Sequence, residues 1–308
     1  MRGPFIRSLV QLAEQDARII LLTGDLGFQT VEPFIEKFPQ RFVNMGVAEQ
    51  NMVGVATGLA EAGYIPFIYS IVNFAVLRTY EFIRNGPIYH QLPVRIIGVG
   101  GGYEYGHDGI THYGLEDIGV LRIQPGIVVV APADFKQAVT ALKNTYQLHQ
   151  PVYYRLSKDE KTIIPGLDGR FSMDGIELIK EGRDFLFLSM GTITTEVVQA
   201  AAQLEESGIH AAVGVVACVN PSPVSSLLRI LQGYPKVMTV ESHYRTGGLG
   251  SLVAEVVADH GLNCEVFRCA ILDLPDGHTG SQSFMQGLAG ISREDIVTQT
   301  LKMVSTRS

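Results

Sequence analysis

The sequence has 308 residues and a formal net charge of −7 without any block of basic residues, which argues against nucleic acid or an anionic membrane surface as its main partner. No apolar run approaches the roughly 18 residues that a membrane-spanning helix needs, and the first residues lack the hydrophobic core of a signal peptide. Its cysteines are scattered and odd in number, which fits a reducing compartment and predicts no metal site: Cys218, Cys264 and Cys269. We therefore expect a cytoplasmic protein, and the length suggests two domains.

Strand and helix patterns alternate along the first half of the chain. Continuous apolar stretches predict strands over residues 18–23, 64–69, 94–99, 127–130 and 152–155. Apolar residues at helical spacing predict helices over residues 5–15, 31–37, 46–61, 74–89 and 134–148. A glycine-rich loop follows the third strand. Because buried strands alternate with helices, we expect this half to form a parallel sheet that is covered on both faces.

A charged stretch with several prolines and glycines then interrupts the pattern. We interpret residues 166–182 as a linker between a domain at residues 1–165 and a domain at residues 183–308. In the second domain, strands are predicted over residues 185–188, 211–216, 237–240 and 264–267, and helices over residues 194–206, 221–231, 248–259 and 293–304. The sequence therefore predicts an α/β fold of two domains, each with a mostly parallel sheet flanked by helices.

The helix predicted from residue 46 onward carries a carboxyl group on its buried face. Glu49 shares that face with apolar residues at helical spacing, namely Met52, Val53, Ala56 and Ala60. A buried carboxyl group is costly unless it has a partner or keeps its proton. Glu49 is therefore a candidate functional residue, and the alternative is a first-turn residue that the helix dipole favours. Gly54 and Gly58 lower the helix propensity, which close packing against a neighbour would explain.

Three unusual segments follow predicted strands, where ligands collect in open parallel sheets. They are residues 24–27 with Asp25, residues 70–74 with Phe74, and residues 106–112 with His107, Asp108 and His112. Each has a simpler explanation, as a turn, a core residue and a solvated loop respectively. Together with a buried glutamate, they predict one shared site. The sequence contains no nucleophile elbow and no Walker A loop, and the spacing of the loop histidines is not a zinc pattern.

Two motifs resemble those of a known family. Residues 44–51 resemble the segment with the catalytic glutamate in thiamine-diphosphate enzymes of the transketolase group, and residues 108–112 resemble that group's D-G-x-T-H loop. Other matching segments follow in the same order, at residues 24–26, 74, 132–134 and 155–157. The resemblance covers the pyrimidine-binding and C-terminal domains of the family, whereas the G-D-G…N metal motif of its diphosphate-binding domain does not occur. The chain thus resembles the C-terminal subunit of a split transketolase.

The resemblance implies thiamine diphosphate as the cofactor and gives roles to individual residues. Glu49 would hydrogen-bond N1′ of the aminopyrimidine and so promote loss of the thiazolium C2 proton. Phe74 would stack on the pyrimidine ring, and Asp25 and Leu26 would also lie at the cofactor. His112 is a second catalytic candidate. The substrate contacts that the resemblance implies are His107, Asp108, His112, Arg155 and Arg2, since arginine forks suit phosphate or carboxylate groups.

The resemblance also implies a partner chain. An N-terminal transketolase subunit would carry the diphosphate-binding domain and hold Mg²⁺, so this chain would contribute no metal ligand. We expect a dimer of heterodimers that transfers a two-carbon ketol unit from a ketose donor, expected to be phosphorylated, to an aldose acceptor. The alternatives are a deoxyxylulose-phosphate synthase-like subunit, a 2-oxo-acid dehydrogenase β-like subunit and a non-catalytic scaffold subunit.

Overall fold

The computed structural model describes residues 1–305 and contains two sheets with helices packed on them. The strands are β1 (Ile19–Thr23), β2 (Phe42–Asn44), β3 (Ile65–Ile71), β4 (Arg95–Val99), β5 (Val128–Val130), β6 (Val152–Leu156), β7 (Glu177–Lys180), β8 (Phe185–Met190), β9 (Ala211–Val215), β10 (Cys218–Asn220), β11 (Lys236–Tyr244) and β12 (Glu265–Ile271). The α-helices are α1 (Arg2–Gln15), α2 (Glu32–Lys37), α3 (Glu49–Glu61), α4 (Tyr80–Ile83), α5 (Asp117–Arg122), α6 (Phe135–Thr145), α7 (Thr194–Glu206), α8 (Val224–Leu231), α9 (Leu249–Asp259), α10 (Gln282–Leu288) and α11 (Arg293–Ser305).

The first sheet has the strand order β10-β5-β6-β4-β3-β1-β2. Neighbouring strands run parallel apart from β10, which pairs antiparallel with β5. The second sheet has the order β12-β11-β8-β9-β7, and β7 runs antiparallel to β9. Strands β1, β3, β4 and β6 are buried at every residue, as expected for parallel strands that are covered on both faces. The predicted α/β fold with two mostly parallel sheets is confirmed.

The two halves of the chain pack against each other. One cluster of buried apolar residues combines Met52 and Ile118 of the first half with Leu186 and Leu252 of the second half. Strand β10 belongs to the second half in sequence, yet it extends the first sheet through the pairing of Cys218 with Val130. Among residues 1–305, no helix is long and apolar enough to cross a membrane.

Short elements differ from the sequence-based expectation. The range 166–182, predicted to be a linker, contains strand β7, whose residues are half-buried or exposed. A strand with one mixed-polarity face gives too weak a pattern to be recognised. Strands β2 and β10 have three residues each, and helices α5 and α10 have six and seven, so these elements also escape detection. The domain boundaries themselves stay a prediction.

Helix α3 begins at Glu49 and has the buried face that the pattern predicts. Residues 49, 52, 53, 56 and 60 are all buried. The opposite face is open, because Gly54 and Gly58 are exposed and a Cβ added at either would meet no atom within 4 Å in the described part of the chain. The close neighbour that these glycines suggested is therefore not found within residues 1–305.

The long helix predicted over residues 74–89 is divided into three pieces. A π-helical turn over Asn73–Leu77 precedes α4, and a second one over Arg84–Ile88 follows it and contains Pro87. Each π turn inserts an extra residue per turn, which changes the direction of the following side chains, and such turns are frequent at functional sites.

Candidate active site

The three segments that follow predicted strands meet Glu49 where β1, β3 and β4 end beside the start of α3. Ser70, near the end of β3, donates a hydrogen bond to Glu49 Oε1 at 3.2 Å. Gly24, directly after β1, lies so close that a Cβ at this residue would stand 3.1 Å from Glu49 Cγ. Asn73 donates its side-chain amide to Thr111 O, in the loop after β4, at 3.1 Å. The three loops and Glu49 therefore share one edge of the sheet.

Glu49 is a buried carboxylate with both oxygens paired. The residue is 1 % exposed, Oε1 accepts the hydrogen bond from Ser70, and Oε2 pairs with Arg78 Nη1 at 2.6 Å. A buried carboxylate without a partner would be strongly destabilising. The Arg78 side chain is 39 % exposed, so the guanidinium reaches the carboxylate from the open side of the site.

Arg78 also covers Phe74, and the sequence pattern did not predict either contact. The guanidinium carbon lies 4.4 Å from the centroid of the Phe74 ring, which is cation–π geometry. The only local signal is that the two residues are four apart, a spacing that places side chains on one face of a helix. The Phe74 ring meets His112 edge-on, with centroids 5.2 Å apart. Phe74, Arg78 and His112 therefore form one wall beside Glu49.

The loop with the D-G-x-T-H motif consists of two 3₁₀ turns, Gly106–Asp108 and Ile110–His112, joined at Gly109 with φ +81°. His107 and Asp108 are exposed, and His112 is half-buried with Nδ1 2.9 Å from Thr111 Oγ1. The second half of the chain braces this loop, because Gly280 N donates to Gly106 O at 3.0 Å. The loop therefore presents its polar side chains outward from a fixed base.

Asp25 and Leu26 lie in the loop after β1. Asp25 is exposed, has φ +58°, and accepts a hydrogen bond from Asn44 Nδ2 at 2.9 Å, while Asn44 Oδ1 accepts from Asp25 N and Gly46 N. The left-handed conformation is one that aspartate adopts more readily than most residues. These contacts are those of a turn residue, which is the simpler explanation of Asp25. Leu26 is half-buried beside it.

Arg155 is a buried arginine whose side chain is paired with protein groups. The residue is 7 % exposed, and its Nε forms an ion pair with Asp117 Oδ2 at 3.0 Å. Its Nη2 donates to Gly114 O and to Ser242 O, the latter at 3.1 Å. The guanidinium thus joins the loop after β4, helix α5 and strand β11, and the substrate contact of Arg155 stays a prediction.

Two other cations lie near the loop. Arg2, predicted to contact the substrate, has a side chain 30 % exposed and lies 3.8 Å from Glu160 Oε1. Lys158, two residues after the end of β6, places its ammonium 4.1 Å from the centroid of the Tyr105 ring. Tyr105 in turn lies 5.9 Å from the His112 ring. The signal in the sequence for Lys158 is its position shortly after the end of β6, at the edge of the sheet where ligands collect.

One further carboxyl group lies close to these cations. Glu104 Oε2 accepts a hydrogen bond from Lys158 N at 2.7 Å. Burial raises the pKa of Glu104 above its ordinary value of 4.5, although the hydrogen bond from the Lys158 amide and the charge of Arg155 act in the opposite direction.

The side chains beside Glu49 have the chemical character that the aminopyrimidine of thiamine diphosphate requires. An aminopyrimidine needs a hydrogen-bonding partner for N1′ and a flat apolar surface, which a buried carboxyl group and a phenyl ring are able to offer. Asn73 Oδ1 is a buried acceptor without a hydrogen-bond partner among the described residues, so this oxygen is able to accept a hydrogen bond from a ligand. In contrast, no cluster of three or more His, Cys, Asp or Glu residues that could hold a metal ion occurs within residues 1–305.

Comparison with protein families identifies both halves of the chain. Residues 2–162 match the model of the transketolase pyrimidine-binding domain, and residues 174–296 match the model of the transketolase C-terminal domain. The chain belongs to the transketolase family. Its resemblance to the C-terminal subunit of a split transketolase is confirmed by the relatives and by a solved structure.

Two relatives of similar length to this chain are named as transketolase subunits. One subunit of the apulose-4-phosphate transketolase of Phocaeicola vulgatus is 31 % identical, over 98 % of this chain and 97 % of that protein. A 6-deoxy-6-sulfo-D-fructose transketolase subunit of a Clostridium species is 33 % identical, over 96 % of this chain and 92 % of that protein. The solved structure of an inactive β4 tetramer of a split-gene transketolase is 32 % identical, with a TM-score of 0.90, and covers 100 % of this chain and 99 % of that one.

Proposed function

We propose that this transketolase-family chain is the C-terminal subunit of a split, thiamine-diphosphate-dependent transketolase. The enzyme would move a two-carbon ketol unit from a ketose donor to an aldose acceptor. The observation that carries this proposal is the buried carboxylate of Glu49, which Arg78 links to the Phe74 ring beside the His112 loop. The occurrence of Glu49, Phe74 and His112 together at one edge of the sheet argues against a non-catalytic scaffold subunit.

Glu49 would do the acid–base work of the chain. Thiamine diphosphate supplies the nucleophilic thiazolium carbon that ketol transfer requires. The role of Glu49 is to hold a proton in a hydrogen bond to N1′, in a water-poor position where such a bond is strong. Phe74 would hold the pyrimidine plane by stacking. Asp25 and Leu26 remain proposed neighbours of the cofactor, through the loop that brings Gly24 against Glu49.

The exposed side of the loop would receive the sugar. His107 and Asp108 project to solvent and can pair with sugar hydroxyls, and His112, between Phe74 and Tyr105, is placed to move a proton at the reacting end of the substrate. Arg2 would attract an anionic end group.

The names of two relatives support an anionic substrate. Apulose-4-phosphate and 6-deoxy-6-sulfo-D-fructose, which appear in those names, are both sugars with an anionic terminal group. Lys158 is a further cation next to the loop and would serve the same purpose as Arg2. We therefore propose a ketose donor with a phosphate or a similar anionic end.

The missing half of the cofactor site would come from another chain. We propose an N-terminal transketolase subunit with the diphosphate-binding domain, which would hold Mg²⁺ through oxygen ligands. The open face of α3, with exposed Gly54 and Gly58, is a surface on which a partner could pack closely. Self-association of this pair would give a dimer of heterodimers.

Reconstitution tests the proposal. The chain is mixed with its co-encoded partner, thiamine diphosphate and Mg²⁺, and anionic and neutral ketoses are offered with an aldose acceptor. We expect ketol transfer from an anionic ketose in the mixture and none from either chain alone. Condensation of pyruvate with an aldehyde, or oxidation of a 2-oxo acid, would favour one of the other two enzymatic alternatives instead.

A further inference from the structure

Arg78 makes both of the contacts that a bound aminopyrimidine would make in this site. Its Nη1 lies 2.6 Å from Glu49 Oε2, and its guanidinium carbon lies 4.4 Å from the centroid of the Phe74 ring. We refer to these two contacts together as the Arg78 bridge.

The shape of a guanidinium explains how it can do this. The group is planar and delocalised, it donates N–H groups in its own plane, and its flat face stacks on aromatic rings. A pyrimidine that hydrogen-bonds Glu49 while stacking on Phe74 has the same two requirements. Ser70 donates to Oε1 of Glu49 and Arg78 donates to Oε2, so each oxygen already has one donor. Because Arg78 also lies on the Phe74 ring, a pyrimidine that bonds Glu49 and stacks on Phe74 would compete with the bridge for both contacts.

We propose that Arg78 occupies the pyrimidine position in the unliganded chain and has to swing outward before the cofactor can bind. This inference rests on the proposed function, because it takes Glu49 and Phe74 to be the pyrimidine site. The bridge keeps the buried carboxylate paired while the site is unfilled, which avoids the cost of an uncompensated buried charge. When the cofactor binds, its pyrimidine would replace Arg78 as the partner of Glu49.

The exposure of the bridge allows this exchange. The side chain of Arg78 is 39 % exposed, whereas that of Glu49 is 1 % exposed, so the arginine can move into solvent and the glutamate cannot. When a binding-competent state is only a fraction of the population, the apparent dissociation constant rises by the inverse of that fraction. Arg78 therefore lowers the apparent affinity for the cofactor, and it lowers the association rate constant by the same fraction.

Cofactor binding to the assembled enzyme tests the bridge without any turnover. The complex of this chain with its co-encoded partner, in Mg²⁺, is titrated with thiamine diphosphate by calorimetry for the wild type, Arg78→Ala and Arg78→Gln. We expect a dissociation constant ~10-fold to ~100-fold lower in both variants, the range that loss of one competing charge-assisted hydrogen bond predicts. Arg84→Ala is the matched control, since Arg84 lies six residues further along and its side chain pairs with Asn85; its affinity should be unchanged.

Binding kinetics give a second measurement. A side chain opens and closes much faster than solutions mix in a stopped-flow instrument, so the bridge would reduce the association rate constant of the wild type by the fraction of sites that are open. We expect an association rate constant for thiamine diphosphate ~10-fold to ~100-fold higher in the two Arg78 variants than in the wild type. Equal rate constants in the wild type and in a folded Arg78 variant would overturn the inference.

The outcomes separate the two proposals. Equal or weaker cofactor affinity in the Arg78 variants would show that the arginine supports the bound state, and the bridge would be refuted while the proposed function stands. Absence of thiamine diphosphate binding by the assembled wild type and by both variants would refute the proposed function, and the inference with it.

Discussion

Substitution of Glu49 by glutamine tests the residue on which the functional proposal depends. Glutamine keeps the size of the side chain and can still accept from Ser70, but it cannot hold an acidic proton for N1′. The folded protein loses the charge in a pair with N–O distance 2.6 Å, which turns a charge-assisted hydrogen bond into a neutral one and costs about 1 kcal/mol. The fold should therefore survive, because that is a small part of the stability of a typical domain.

The chemical effect should be much larger than the effect on stability. Loss of a positioned acid–base group reduces a rate by ~10²-fold or more, which is about 2.7 kcal/mol in activation free energy. The rate to measure is exchange of the C2 proton of thiamine diphosphate bound to the assembled complex. Samples are mixed with D₂O, quenched in acid, and the remaining C2 proton is read by NMR.

The control makes the same glutamate-to-glutamine substitution at an exposed position of the same helix. Glu61→Gln alters the exposed last residue of α3 and should exchange at the wild-type rate. A Glu49→Gln complex that folds, assembles and exchanges its C2 proton as fast as the wild type would mean that Glu49 is only a helix-start residue. The scaffold alternative would then explain the chain better than an enzyme subunit.

Three further predictions concern other parts of the structure. Arg155→Ala should lower the free energy of unfolding by about 3–5 kcal/mol, because it leaves Asp117 buried without its ion pair, whereas the exposed Arg183→Ala should cost less than about 1 kcal/mol in the same urea titration. Glu104→Gln should be more stable relative to the wild type at about pH 7.5 than at about pH 5, since a carboxyl whose folded pKa lies above its unfolded value of 4.5 weakens the fold as pH rises through the folded pKa; an equal difference at both pH values would contradict this. The chain without its partner should bind thiamine diphosphate weakly or not at all, and micromolar, Mg²⁺-dependent binding in calorimetry would disprove that the partner holds the metal.

The sequence predicted those features that depend on the residue pattern of a single helix or strand. The spacing of apolar residues places Glu49 on the buried face of α3, and that face is buried as predicted. Long apolar strands followed by glycine-rich turns place the loops at one edge of the sheet, and the structure brings Asn73 and Thr111 into contact there. These features depend on periodicity and on the rule that parallel strands end together, both of which are local or general.

Features that depend on contacts between distant segments were not predictable. Arg155 lies near the end of β6, but its ion pair depends on Asp117, which belongs to a six-residue helix that the pattern does not reveal. Arg78 is 29 residues from Glu49, and its direction depends on a π-helical turn inside a segment that reads as regular helix. Strand β10 joins the first sheet from the second half, a pairing that no periodicity encodes.

Helix α3 connects the Glu49 carboxylate to the surface where a partner would pack. Its buried face begins with Glu49, and its opposite face exposes Gly54 and Gly58 with open space around them. A helix moves as a rigid unit, so a partner packed on the glycines would fix the position of the carboxylate on the opposite face. The same partner would supply the contacts to the diphosphate and the metal. The Arg78 bridge keeps Glu49 paired until the partner and the cofactor are bound. Bulky substitution at Gly58 should therefore leave the chain folded but weaken assembly, and analytical ultracentrifugation of Gly58→Leu with the partner measures this; undiminished assembly would place the partner on another face.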